Sequence, residues 1–351
     1  MKHILLIVTV LMLLLIIGCK ENTVDPVENR GKTLYVLNGS AETLSKIDAE
    51  KNSVVKDIVT TGKIPNRIRI YDDRIYVVSS GENNIKVIDP KHDTEILQTI
   101  GLNPGDNPWD IAFANNKKAY VTCFNTNDVA VIDLVAGTVT KRITVGRAPE
   151  GLLYKKGKLY VANTGYGGWG NPYFQASVSV IDVKTDKVTA TVNTPVNAQD
   201  LAFAPNGKLH VLCTGDFGVT SSGKIAVIKT SGTPALEDSI IIGGSPGDIE
   251  IAKNGIAYCV AWGNGTNGFL YTYNTEDNAV IHGESNPINI GPNVMQLTYD
   301  YDANVMWIPY MTKWGGDGYI QKFDVVANKI TWTSDVVGNG SSAVAVYRYY
   351  K

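Results

Sequence analysis

The chain has 351 residues, 44% of them apolar and 19% charged, with a formal net charge of −2. Apolar content this high and charge this low exclude a disordered chain, and so balanced a charge without clustered Lys and Arg excludes nucleic acid as a partner. Four cysteines in this length build no disulfide scaffold.

The N-terminus reads as an address. Lys2 precedes the apolar run Ile4 to Ile17, which Gly18 and Cys19 close. A basic start, a short apolar stretch and a small residue at its end form a secretory signal peptide; the run falls short of the ~20 residues a spanning helix needs. Its last residues, IIGC, resemble the bacterial lipobox. That resemblance implies cleavage after residue 18 and a lipid anchor on Cys19, and Lys20 after the cysteine points to the outer membrane. Residues 19–32 (CKENTVDPVENRGK) are then the lipidated cysteine and a polar tether.

From residue 33 one unit is written seven times. A Tyr-Val pair or a relative recurs at Tyr35, Tyr76, Tyr120, Tyr160, His210, Tyr258 and Trp307, at intervals of 41, 44, 40, 50, 48 and 49 residues. Each is followed by an Ile-Asp mark or its equivalent (Asp48, Asp89, Asp133, Asp182, Lys229, Asn274, Asp324) and then by a Gly/Pro turn such as GKIP, GDNP or GRAP. The stretches between alternate apolar and polar positions and are rich in β-branched residues, which predicts short strands and no helix. Four strands, a to d, fit each unit, and four-stranded antiparallel units near this period are the signature of β-propeller blades. The chain opens on a strand b and ends on SSAVAVYRYYK, a strand a. The expectation is an all-β, single-domain, seven-bladed β-propeller over 33–351, closed by the C-terminal strand completing the first blade. The repeated Asp precedes polar hairpins and is assigned to turn formation; the repeated Tyr is assigned to packing between blades. Cys123, Cys213 and Cys259 fall in strand patterns and are expected to be buried thiols.

The marks YVLN, YVVS, YVTC and YVAN, with VID and GxxP, resemble the YVTN-type β-propeller repeat family along nearly all of 33–351. The likeness is specific in blades one to four and fades in five to seven. GKIPNRIRIYDDRIYV, KKAYVTCFNTNDVAVID and GRAPEGLLYKKGKLYVANTG resemble a narrower group, surface lipoproteins that capture cobalamin for a TonB-dependent outer-membrane transporter. That resemblance implies corrinoid binding with no reaction catalysed.

Function belongs where the repeats differ. From the Tyr-Val to the Ile-Asp mark is 12 residues in blades one to three but 21, 18, 15 and 16 in blades four to seven. The added residues are expected in b–c loops, on the rim that also carries the Gly/Pro turns, and they hold Tyr166, Trp169, Tyr173, Phe174, Phe217, Trp262, Phe269, Tyr310, Trp314 and Tyr319. Trp109 joins them from the third blade's turn. Aromatic rings on Gly-rich loops suit a ligand ring or an apolar partner face. A second set opens strand a, nearest the axis: Arg67, Asp110, Gly151, Asp200, Asp248, Gln296 and Ser342, with Asn66, Trp109, Glu150, Gln199, Gly247, Met295 and Ser341 one residue before them. One of these two sets is expected to form a polar collar at the channel mouth, where crowded carboxylates raise one another's pKa and where Ca²⁺ is the one cofactor the donor set suggests. Gly165 to Gly170 fits GxGxxG, but no helix follows, so it is no dinucleotide site. The four His are dispersed, and no nucleophile-elbow motif occurs.

The sequence thus predicts an exported, lipid-anchored binding protein. Its ligand site comprises Arg67, Trp109, Asp110, Tyr166, Trp169, Tyr173, Phe174, Asp200, Phe217, Asp248, Trp262 and Trp314. The expected partner is a small molecule or an outer-membrane transporter. The alternatives are a protein-interaction scaffold at the cell surface and a propeller enzyme of the lactonase or quinone-dependent dehydrogenase type.

Overall fold

The computed structural model describes residues 30–218 and 222–350; the expected signal peptide, Cys19 and the tether up to residue 29 lie outside them. Seven antiparallel sheets form, each led by an inner strand a: Ser341–Tyr350, Pro65–Tyr71, Pro108–Asn115, Pro149–Lys155, Ala198–Phe203, Pro246–Ile251 and Thr298–Asp300 for blades one to seven. No helix occurs among the described residues. The protein is a seven-bladed β-propeller.

The burial pattern follows from the ring. Strand b is covered by a neighbouring blade on each side, so its side chains are buried on both faces, as in Arg74–Ser79 and Lys158–Asn163. Strand d faces the rim and is mostly exposed, as in Ala235–Ile241. Among the described residues seven apolar clusters result, each shared by two adjacent blades. Ile85 and Val87 of blade two meet Ile111 and Val121 of blade three in one of them, and Trp307 and Ile320 of blade seven meet Leu34 and Val36 of blade one in another. Each large side chain buried there contributes about 1.5–3 kcal/mol by transfer from water.

The repeated residues have the roles expected of them. Asp48, Asp133 and Asp324 each accept backbone N–H groups two and three residues on, and so hold the c–d hairpins. Asn274 does the same to Glu276. The repeated Tyr reaches into the next blade: the Tyr35 hydroxyl donates to Pro90 O at 2.9 Å and that of Tyr120 to Asp186 Oδ1 at 2.6 Å. Where His210 replaces Tyr, its Nδ1 meets the Tyr273 hydroxyl of the next blade at 3.0 Å. Cys123, Cys213 and Cys259 are free and buried.

The C-terminal strand closes the ring as anticipated, pairing with strand b of blade one from Asn38↔Ser341 to Arg30↔Tyr350. That strand b starts at Arg30, so residues 30–32 belong to the ring and not to the tether; the length of Ser341–Tyr350 gives them backbone partners. A second expectation also changes. In blades six and seven much of the added length is strand: Tyr310 lies in Val305–Met311, Tyr319 in Asp317–Asp324 and Phe269 in Gly268–Asn274. Tyr310 and Tyr319 face each other across the ladder and stack at 5.2 Å, so they extend the blade and do not project from a loop.

Candidate functional site

Two layers meet at the face carrying the d–a turns. The lower layer is the collar, and a recurring β-bulge builds it. The register between strands a and b slips between Pro65 and Arg67, between Pro108 and Ile111, between Ala198 and Asp200, and between Pro246 and Asp248. A bulge re-aims the side chains beside it, and here it brings Arg67, Asp110, Asp200 and Asp248 together. Arg67 Nη1 donates to Asp248 Oδ1 at 3.0 Å, its Nε stands 3.5 Å from Asp110 Oδ2 without a hydrogen bond, and its Nη2 is 4.0 Å from Asp200 Oδ1. Arg67 is 6% exposed and Asp110 fully buried. The other collar positions are neutral: Gly151 lies against the Gln199 carbonyl and Asp200, Gln296 donates to Asn66 O, and Ser342 to Leu37 O.

The chain itself supplies the positive charge among these carboxylates. Burial works against the Arg67 guanidinium, but Asp110, Asp248 and Asp200 outweigh it and hold its pKa above the ordinary value. Asp200 is pushed well up, by burial first and by Asp248 next. Each aspartate also accepts a backbone N–H: Ile111 to Asp110, Ile249 to Asp200 and Leu297 to Asp248.

Three charged groups of this region were not among the predicted site residues. Arg69 donates to both oxygens of Asp110 at 3.2 and 2.7 Å. Glu150 is 6% exposed, and burial raises its pKa to about 8 against the pull of Arg67. Burial likewise holds Glu250 at about 7. Arg69 and Glu250 follow Arg67 and Asp248 by two residues, so the period-two alternation of a strand was the signal for them.

The upper layer is aromatic. Trp109 stacks on Phe124 at 5.5 Å, Phe124 meets Tyr166 at 5.8 Å, and Tyr166 meets Tyr173 edge-on at 5.7 Å. Asn197 of the next blade's turn donates to the Tyr173 hydroxyl at 3.2 Å. This arc therefore runs continuously from blade three to blade five. Phe124 went unpredicted because its b–c loop is short. Beyond the arc, Trp169 is 95% exposed on a loop that turns through positive φ at Gly165, Gly168 and Gly170, a conformation glycine adopts without steric cost. Phe174 lies under the Arg147 guanidinium at 4.3 Å. On the other side of the ring Trp262 and Trp314 pair at 5.7 Å, both more than half exposed. Phe217 is also exposed and stands apart from these ring contacts among the described residues. The predicted residues thus fall into a joined collar, a joined arc holding Trp109, Tyr166 and Tyr173, a separate tryptophan pair, and the outlying Trp169, Phe174 and Phe217.

Strain marks the same face. Ile64, in the turn before strand a of blade two, has φ 50° and is 62% exposed. A β-branched residue is unfavourable in that region. On the opposite edge Asp89, His92 and Glu95 bring one ligand atom each within 4.8 Å of one another in an exposed turn; this mixed cluster was not anticipated from the dispersed His.

No protein-family model and no curated protein matches the chain. Solved structures do. A putative 6-phosphogluconolactonase from Bacteroides uniformis is similar at TM-score 0.68 and 12% identity, over 91% of this chain and 100% of that one. A functionally unknown protein from Desulfotomaculum acetoxidans is similar at 0.67 and 12%, over 90% and 98%. A quinoprotein alcohol dehydrogenase-like protein from Bacteroides thetaiotaomicron is similar at 0.63 and 16%, over 90% and 78%. At such identities the likeness is one of fold, and a fold does not carry chemistry with it.

Proposed function

We propose that this protein is an exported, lipid-anchored binding protein that captures a ligand on its aromatic, loop-elaborated face. The observation carrying this reading is the Trp262–Trp314 pair, 5.7 Å apart and each more than half exposed, on the face whose loops also expose Trp169, Phe174 and Phe217. Large apolar rings kept in water together mark a surface that is covered in function. The charged collar beneath supplies fixed donors and acceptors for the polar part of a ligand. In its narrower form the ligand is a corrinoid passed to a TonB-dependent transporter, as the surface-lipoprotein resemblance suggests. A flat macrocycle suits the arc and the tryptophan pair. Cobalamin added to the purified protein should give a coloured complex that survives desalting and a raised melting temperature, because a ligand bound only to the native state stabilises it. No retained colour and no shift at saturating cobalamin would reject the corrinoid. The anchor is tested separately: radiolabelled palmitate should enter the wild type and not Cys19→Ser.

A second reading is favoured by one group. Glu150 sits at the channel mouth with its pKa raised to about 8, within the range useful to a general acid or base. An enzyme of lactonase type would lose turnover in Glu150→Gln while keeping its fold; a lactone and sugar screen without turnover removes this reading.

A further inference from the structure

Below Arg67 the axial channel opens into a cavity of about 500 Å³. Its walls are the later halves of the inner strands, including Arg69, Tyr71, Phe113, Leu153, Phe203 and Glu250, so it faces away from the aromatic loops. Cavities of about 300–1,000 Å³ with apolar walls and a few convergent polar groups are the usual seats of small molecules.

The walls have two chemistries. Tyr71 and Phe113 stack with centroids 4.4 Å apart and planes 2° apart. The Lys155 ammonium lies 3.7 Å from the centroid of the Phe203 ring and makes no ion pair among the described residues. The protein therefore already seats one ammonium against this wall by cation–π attraction. The charged end holds both signs. Arg67 and Arg69 are engaged by Asp110, Asp200 and Asp248. Glu250 has no ion pair among the described residues; a backbone N–H from Tyr299 meets its carboxyl. An anion entering here would meet Asp248 and Glu250 while the arginine forks are already occupied, and only the Lys155 ammonium, held on Phe203, would attract it. A cation would meet the Glu250 carboxyl, which no ion pair among the described residues engages and where the longer-range pull of Arg69 and Arg67 only partly offsets burial.

We propose that this cavity is a second binding site, for an organic cation whose ammonium pairs with Glu250 and whose apolar body packs against Phe113, Leu153 and Phe203. The site lies on the other side of the collar that it shares with the aromatic face. It also differs from a metal site, because a primary ammonium needs one carboxylate and a ring wall and not three converging oxygens.

Titration calorimetry on the full mature chain tests this with two probes of equal ring and opposite charge, phenethylamine and phenylacetate. Phenethylamine should bind saturably at one site and phenylacetate should not. Glu250→Gln, with an unchanged far-UV spectrum, should weaken the amine by about tenfold or more, the usual worth of a charge-assisted hydrogen bond. Lys155→Met removes the resident ammonium and should strengthen the amine. The proposal is overturned if phenethylamine does not saturate, if phenylacetate binds as tightly, or if Glu250→Gln leaves the amine affinity unchanged. Should Glu250→Gln fail to fold, an amine affinity that is unchanged or lower in Lys155→Met overturns it equally.

Discussion

Blades one to three and blades four to seven share one core pattern and differ in what they build on it. In the first three the b–c connections are four-residue turns, 39–42, 80–83 and 124–127. In blade four the connection runs from 164 to 176, and in blades six and seven part of the added length becomes strand. The interblade clusters are nonetheless present all round the ring. A propeller thus tolerates rim elaboration because each blade's stability comes from its neighbours' flanks, which the rim does not touch. Stability and binding are carried by different atoms, and substitutions should separate them.

The largest effect is expected at Arg67, which reaches from blade two across the axis to blade six and so ties the uniform side to the elaborated one. Arg67→Met leaves Asp248 and Asp200 without their cation, while Asp110 keeps Arg69, and should cost about 3–5 kcal/mol in denaturant unfolding; adding Asp248→Asn should return part of that. An unchanged midpoint would mean that the two sides are not coupled through the axis.

Next is a pH effect. The folded-state pKa of Glu150 is raised from 4.5 to about 8, so the native state binds the proton more tightly than the unfolded chain does. Its contribution is full below the unfolded pKa and is lost as pH rises from about 4.5 to about 8. Calorimetric melting temperatures should fall across that window, and Glu150→Gln should flatten the fall; an equally steep fall in the variant removes Glu150 as the cause. Glu250, raised to about 7, contributes in the same direction.

Smaller still is Ile64. Replacing it with Asn, which tolerates its positive φ, should stabilise by about 1 kcal/mol. If the site reading is right, the same change should weaken binding on this face, because it removes an exposed apolar group. The smallest effect on stability is expected at Trp169 and Trp314. Either to Ala should move unfolding by no more than about 0.5 kcal/mol and yet reduce retention of cobalamin or of a protein partner. A large loss of stability would show these rings to be part of the core.

Much of this was legible in the residues. A period marked by Tyr-Val, Ile-Asp and Gly/Pro announces blades, since a four-stranded unit has two apolar faces and must stack. An Asp before a polar hairpin announces its own role, because the bond it makes is two or three residues away. Arg69 and Glu250 were legible in principle from strand alternation. Phe124 was not, because nothing in a short turn signals that its ring will lie against Trp109.

The sequence by itself determined the ring, the number of its blades and its closure by the last strand, because those follow from local periodicity repeated seven times. It also determined which blades carry extra aromatic residues. Only the tertiary structure decided which charges meet. Arg67 and Asp248 are 181 residues apart and on different blades, and it is the closing of the ring, with a bulge at each inner strand, that brings them within a hydrogen bond. The same closure leaves Glu250, among the described residues, without an ion pair in a cavity that no local pattern describes.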